Sequence, residues 1–150
     1  MTVWRERLAG RAMPLRSDIP ARALKRNLKR IMLFERLETP EGHRYRIRLM
    51  GTSLVLVWGD LTGQFVDVAV PPQLAPRWHA FLDLMLQIRQ PMRFVARVDF
   101  QAKSYLVAEI AAVPLADEAG NPTMVMGALH ISSDRQWDSI VARFPGEDRY

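Results

Sequence analysis

The sequence predicts an α+β domain, a five-stranded antiparallel sheet with helices over one face. Three observations carry this. Residues 43–50 and 92–100 alternate apolar and polar side chains with period two, as half-buried strands do. Residues 74–88 place Leu74, Trp78, Phe81, Leu82, Met85 and Ile88 in one helical stripe, with Arg77, Asp83 and Gln87 off it. The segments run helix, helix, two strands, short helices, one long helix, three strands. At 150 residues, 49% of them hydrophobic and 25% charged, the chain has the length of one domain and enough apolar side chain to bury one core.

Taken in order, residues 2–9 predict a short helix with Val3, Trp4 and Leu8 on one side, ended by Gly10 and Pro14. Ser17 and Asp18 suit a helix cap, and Pro20 a first turn. Leu24, Leu28 and Ile31 then recur at helical spacing. Arg22, Lys25, Arg26, Lys29 and Arg30 fall mostly on the other side, so residues 20–30 predict an amphipathic helix with a basic face. The apolar run from Ile31 to Leu37 pairs with residues 43–50 as a hairpin across the turn Thr39-Pro-Glu-Gly42. In the second strand Tyr45, Ile47 and Leu49 share one face, and Arg44, Arg46 and Arg48 the other. Short helical turns are expected between Gly51 and Gly63. After the long helix come strands at 92–100, 104–113 and 123–131, the last two separated by a loop at 117–122. Trp137, Ile140, Val141 and Phe144 predict a short C-terminal helix.

Composition limits the chemistry. The absence of cysteine excludes disulfides, thiol nucleophiles and cysteine-based zinc sites. The three histidines, His43, His79 and His130, include no pair at metal-ligand helical spacing. Gly51, Gly59 and Gly63 do not have the spacing of a phosphate-binding loop, and no residue order marks a catalytic triad. Glu109 interrupts an apolar run, which predicts a paired structural carboxylate. No apolar stretch has the length of a signal peptide core or a membrane span, so a cytoplasmic location is expected.

The net charge of +5 is unevenly placed. Residues 1–50 hold 13 Lys/Arg against 5 Asp/Glu, and residues 51–150 hold 8 against 11. The two basic sets, Arg22, Lys25, Arg26, Lys29, Arg30 and Arg44, Arg46, Arg48, point to an anionic partner, with an acidic protein surface preferred. Nucleic acid is the weaker reading, because no aromatic interleaving or binding motif accompanies the charge. The strand arginines alone read as edge protection.

Five segments are more specific in combination than apart: Met13-Pro-Leu-Arg-Ser-Asp-Ile-Pro20, Tyr45-Arg-Ile-Arg-Leu-Met-Gly-Thr52, Gly59-Asp-Leu-Thr-Gly63, Val113-Pro-Leu-Ala-Asp117 and Gly127-Ala-Leu129. Together they resemble the PAS fold, and within it a group of short bacterial proteins consisting of little more than one PAS domain. The resemblance implies an N-terminal arm at 1–16, a PAS-like domain at 17–132 and a tail at 133–150. It also implies a non-catalytic sensor or adaptor in bacterial signalling that binds a small ligand, a regulatory partner protein, or both.

A ligand would sit between the sheet and its helical cover. Trp58, Phe65, Trp78, Phe81 and Met85 come from the cover, and Met124 and Met126 from the last strand; the helical stripe by itself suits a filled core better than a pocket. No catalytic residue transfers, and no tightly bound cofactor is expected. A haem-sensor alternative rests on His79, since some oxygen-sensing PAS domains carry their haem ligand on this helix. At about 100° per residue His79 falls off the centre of the stripe, which predicts a flank position. His43 is expected to be solvated and His130 structural. The N-terminal helix packs on its own domain or pairs two copies, and a homodimer is the preferred expectation. The other alternative is a basic nucleic-acid-binding regulatory protein.

Overall fold

Two hairpins build the sheet. β1 (Ile31–Thr39) and β2 (Gly42–Met50) turn tightly at Pro40 and Glu41, where the Thr39 hydroxyl donates to the Gly42 carbonyl at 2.6 Å. β4 (Leu106–Ala116) and β5 (Pro122–Ser133) are joined by a turn that Asp117 organises, its Oδ1 accepting from the Ala119 and Asn121 N–H groups. With β3 (Met92–Arg97), they form a five-stranded antiparallel sheet in the order β2-β1-β5-β4-β3. The structure, a computed structural model, describes residues 2–98 and 106–133. Asp99, Phe100 and the tail with its expected helix lie outside the described residues.

Besides an irregularity at Leu115 and Ala116 near the end of β4, strand alternation breaks in the first hairpin, with consequences for both faces. The pairing shifts between Leu33 and Phe34, which face Leu49 and Ile47, so Arg48 is an extra residue in β2. Tyr45 and Ile47 point to the helical side as predicted, but beyond the bulge the parity flips. Leu49, expected beside them, packs on the opposite face, and Met50 takes the inward position.

Both faces of the sheet are apolar. On one side, α2 (Thr52–Trp58), α3 (Val66–Ala69) and α4 (Ala75–Ile88) cover a core of Phe34, Tyr45, Ile47, Leu54, Val66, Leu82, Met85, Leu86, Ile110, Val125 and Leu129. Leu86 is buried and Ile88 exposed, a shift from the predicted stripe. On the other side, Ile31, Leu33, Val113, Leu115 and Met126 are covered by the N-terminal segment through Trp4, Met13 and Ile19. The first helix, α1 (Thr2–Glu6), is shorter than predicted. Its Trp4 indole N–H donates to the Pro114 carbonyl at 2.7 Å, a buried bond. Pro114 is tolerated within β4 because β3 ends opposite Ala112, so no neighbouring strand needs its N–H. There the N-terminal segment takes over: the Ala116 N–H donates to the Pro14 carbonyl at 3.0 Å.

The expected helix over 20–30 does not form. Residues 16–30 instead make three 3-10 turns, Arg16–Asp18, Ala21–Leu24 and Leu28–Arg30. An α-helix would stack like charges at i,i+4 as Arg22/Arg26, Lys25/Lys29 and Arg26/Arg30, and so short a helix cannot offset its nucleation cost against that repulsion. Asp18 does not cap a following helix either. It accepts backward from the Leu15 N–H at 2.8 Å and pairs with Arg11.

Gly51 fixes the last of these turns to the sheet. Its N–H donates to the Ile31 carbonyl at 2.7 Å, and a Cβ there would lie 2.6 Å from the Leu28 carbonyl oxygen and collide with Lys29. Gly51→Ala is therefore expected to destabilise by roughly 1–3 kcal/mol, measured by denaturant unfolding. Arg89, the residue that ends α4, holds φ at 54°, in the left-handed region. Arg89→Gly is expected to stabilise by about 0.5–1 kcal/mol, read as a rise in Tm of a few degrees.

Candidate functional site

A run of aromatic rings packs under the helical cover. Phe34 lies 5.6 Å from Trp78, Trp78 lies 6.3 Å from Phe81, and Phe81 lies 4.9 Å from Phe94 between ring centroids. Trp58 packs against the same core, and Met85 is fully buried in it. The other sequence-predicted pocket residues lie elsewhere. Phe65 sits at the edge of the sheet, where the Arg44 guanidinium stacks over its ring at 3.8 Å and its backbone bridges to Arg46. Met124 and Met126 are on the opposite sheet face, with Trp4, because β5 turns Val125 and Leu129 toward the helices. The seven residues do not line one cavity.

An open cleft lies instead at the rim of the sheet, where the C-terminal end of α4 meets β1, β2 and the start of β5. It has a volume of about 390 Å³ and is lined by Arg36, Tyr45, Asp83, Leu86, Gln87, Arg89 and Pro122. Asp83 ties its wall together. The Tyr45 hydroxyl donates to Asp83 Oδ1 at 2.6 Å, and His43 Nε2 lies 2.7 Å from the same oxygen. Burial, and then the Asp83 carboxylate, push the Tyr45 hydroxyl well above the usual phenol range. His43 is thus a bridge from β2 to α4, and the expectation of a solvated side chain is corrected. His79 lies 5.4 Å from the Tyr45 ring and 6.4 Å from His43, on the flank of α4. His130 is exposed on the outer face, beside a second cleft of about 400 Å³ that holds the Glu109–Arg93 pair at 3.0 Å.

The strand arginines do not form a free cationic face. The bulge at Arg48 brings two guanidinium groups onto one carboxylate: Arg46 reaches Glu35 Oε2 at 2.6 Å and Arg48 reaches Oε1 at 2.9 Å. Arg44 grips Asp67 through Nε at 3.1 Å and Nη2 at 2.9 Å. Nor do these side chains guard the edge of β2. The 63–65 loop does so, with the Gly63 N–H donating to the Ile47 carbonyl and the Ile47 N–H to the Gln64 carbonyl. Arg22, Lys25, Arg26 and Lys29 remain exposed, and none has an ion-pair partner among the described residues; Arg30 is half-buried. Among the described residues no cluster of three or more His, Asp or Glu could hold a metal ion, and no helix is long and apolar enough to cross a membrane.

Sequence reasoning missed Arg36, Arg89 and the role of Asp83. Each is isolated in its own segment, and only the fold brings them to one rim. Asp83 carried one signal, a charged position on the α4 side adjoining the buried stripe.

Glu35 supplies a test of the charge arrangement. Burial alone would raise its pKa, but the hydrogen bonds and charges of Arg46 and Arg48 outweigh this and hold it below the ordinary 4.5. Its contribution is therefore present above that value and lost as pH falls below it. Glu35→Gln is expected to lower stability by about 1 kcal/mol at pH 7, since both arginines are partly solvated, and to flatten the acid limb of a stability-versus-pH curve.

A family model for the PAS domain matches residues 1–130. No curated protein matches the chain. Among solved structures it is similar to a light-oxygen-voltage domain studied with a flavin analogue, at 12% identity over 85% of this chain and 94% of that one, with a TM-score of 0.57. It is also similar to the light-state domain of the blue-light photoreceptor Aureochrome1, at 11% identity over 83% and 98% and a TM-score of 0.51. A third similarity is to an RNA-binding light-oxygen-voltage receptor, at 14% identity over 89% and 42% and a TM-score of 0.50. At such identities these structures speak to the fold alone. The family match takes in most of the sequence, from α1 to the last strand, and the chain belongs to the PAS domain family.

Proposed function

We propose that this PAS domain, a signal-sensing module by family, works without catalysis as an adaptor that passes its state to an acidic partner protein. One observation carries the reading. Arg22, Lys25, Arg26 and Lys29 stand exposed on the segment of 3-10 turns with no ion-pair partner among the described residues, whereas Arg44, Arg46 and Arg48 are matched to carboxylates. Leu28, an exposed apolar side chain, sits among these cations. Free charge beside an apolar contact steers an acidic surface and then holds it. Gly51 anchors this stretch to the junction of β1, β2 and α2, so a change in the sheet has a short route to it.

The flavin named for one structural neighbour does not suit these residues. The rings of Trp78, Phe81 and Phe94 pack on one another against the core between cover and sheet, and the chain has no cysteine to offer a ligand thiol chemistry. A haem reading gains nothing from His79, which is half-buried on the flank of α4 against the rings of Tyr45 and His43. Nucleic acid remains the competing partner for the basic stretch, and the same experiment separates the two.

Co-purification from native cells would compare the wild-type chain with the variant Arg22→Gln, Lys25→Gln, Arg26→Gln, Lys29→Gln. The expected result is a signalling protein held by the wild type, released by salt and reduced tenfold or more by the variant, with unchanged Tm. Retention that survives the four substitutions, or that nuclease abolishes, overturns the reading.

A further inference from the structure

The rim cleft is not part of the apolar interior, and its lining is asymmetric in charge. Two guanidinium groups, Arg36 and Arg89, share it with one carboxylate, Asp83. The Asp83 oxygen facing β2 is already engaged by the Tyr45 hydroxyl at 2.6 Å and by His43 Nε2 at 2.7 Å. The guanidinium groups are not comparably engaged. The side chain of Arg89 has no hydrogen-bond or ion-pair partner among the described residues. Among the described residues Arg36 makes one ion pair, 3.2 Å to the largely solvated Glu38, and its buried Nε has no acceptor. A buried guanidinium N–H without an acceptor is costly, and a solvated ion pair contributes little to offset it. The resting arrangement of Arg36 is therefore incomplete, and an anionic acceptor in the cleft would complete it as the side chain turns inward.

We propose that this cleft binds a small organic acid, whose carboxylate is held between Arg36 and Arg89 and whose apolar portion lies on Leu86 and Pro122. The planar fork of a guanidinium matches the two oxygens of a carboxylate, and Gln87 adds an amide for a further polar group. A volume of about 390 Å³ suits a ligand of metabolite size. The four walls come from β1, β2, α4 and β5, so a bound acid joins the end of α4 to three strands. It favours the conformation in which α4 is docked, which is what a ligand must do to act as a signal. The site rests on the sensory reading above and supplies that reading with an input.

The test is calorimetric titration of the full chain with acetate, succinate and citrate, and separately with inorganic phosphate. Arg36→Gln and Arg89→Gly are titrated alongside. Arg89→Gly relieves a left-handed backbone conformation, so it removes the cation without threatening the fold. At least one carboxylate is expected to bind the wild type, and each variant to weaken it tenfold or more, while the Tm of Arg89→Gly holds or rises. Binding that both variants retain places the ligand elsewhere and overturns the proposal. Phosphate binding without carboxylate binding overturns the assignment of ligand class. No binding by any probe overturns the site. If the basic stretch still holds its partner in that last case, the adaptor reading stands while the cleft falls; if partner binding fails alone, the reverse holds.

Discussion

A sheet with two apolar faces is the constraint on which the molecule depends. β1, β4 and β5 each contribute inward residues to both sides, Phe34 and Leu33, Ile110 and Val113, Val125 and Met126. Three helices shield one side. The other would expose a continuous apolar patch, and patches of that kind drive association. Residues 2–24 prevent this within the same chain, with Trp4, Met13 and Ile19 buried against the sheet and a buried hydrogen bond from the Trp4 indole to β4. The N-terminal segment therefore closes the second core, and the short helix at its start is held by that contact more than by its own propensity.

The same constraint decides where chemistry can occur. Filling both cores leaves the interior to rings and aliphatic side chains, and polar groups collect at the rims. Glu35, Glu109 and Asp67 are each matched to arginines from neighbouring segments. Asp83 bridges α4 to β2 through Tyr45 and His43. Against this background of paired charge two basic places stand out: the turns after Pro20, whose exposed cations have no ion-pair partner among the described residues, and the rim cleft, where Arg36 reaches only the solvated Glu38. Their different settings suggest different occupants: an exposed basic stretch for a macromolecular surface, and a concave rim cleft for a small anion.

Periodicity in the sequence was enough for the sheet, the long helix and the antiparallel class, because alternation and helical spacing report directly on burial. It was not enough at three points. The bulge at Arg48 inserts one residue without any glycine or proline to mark it, and so Leu49 and Met50 exchange faces. The basic stretch has helical spacing of Leu24 and Leu28, but like charges at i,i+4 oppose a helix whose apolar side is weak. Met124 and Met126 read as pocket residues in the sequence because the strand offers no clue to which face meets the helices when both are apolar. The cleft was illegible for a different reason, since Arg36, Tyr45, Asp83 and Arg89 come together only through tertiary structure.

Hydrogen exchange at the Trp4 indole N–H, followed by NMR alongside the amides of β4 and β5, tests the central claim most directly. If the N-terminal segment completes the core, the indole proton is protected to nearly the same degree as the central strand amides and exchanges only with global unfolding. Exchange at the rate of a free indole, with the strand amides still protected, would show that the second face is closed by something other than this segment and would contradict the account.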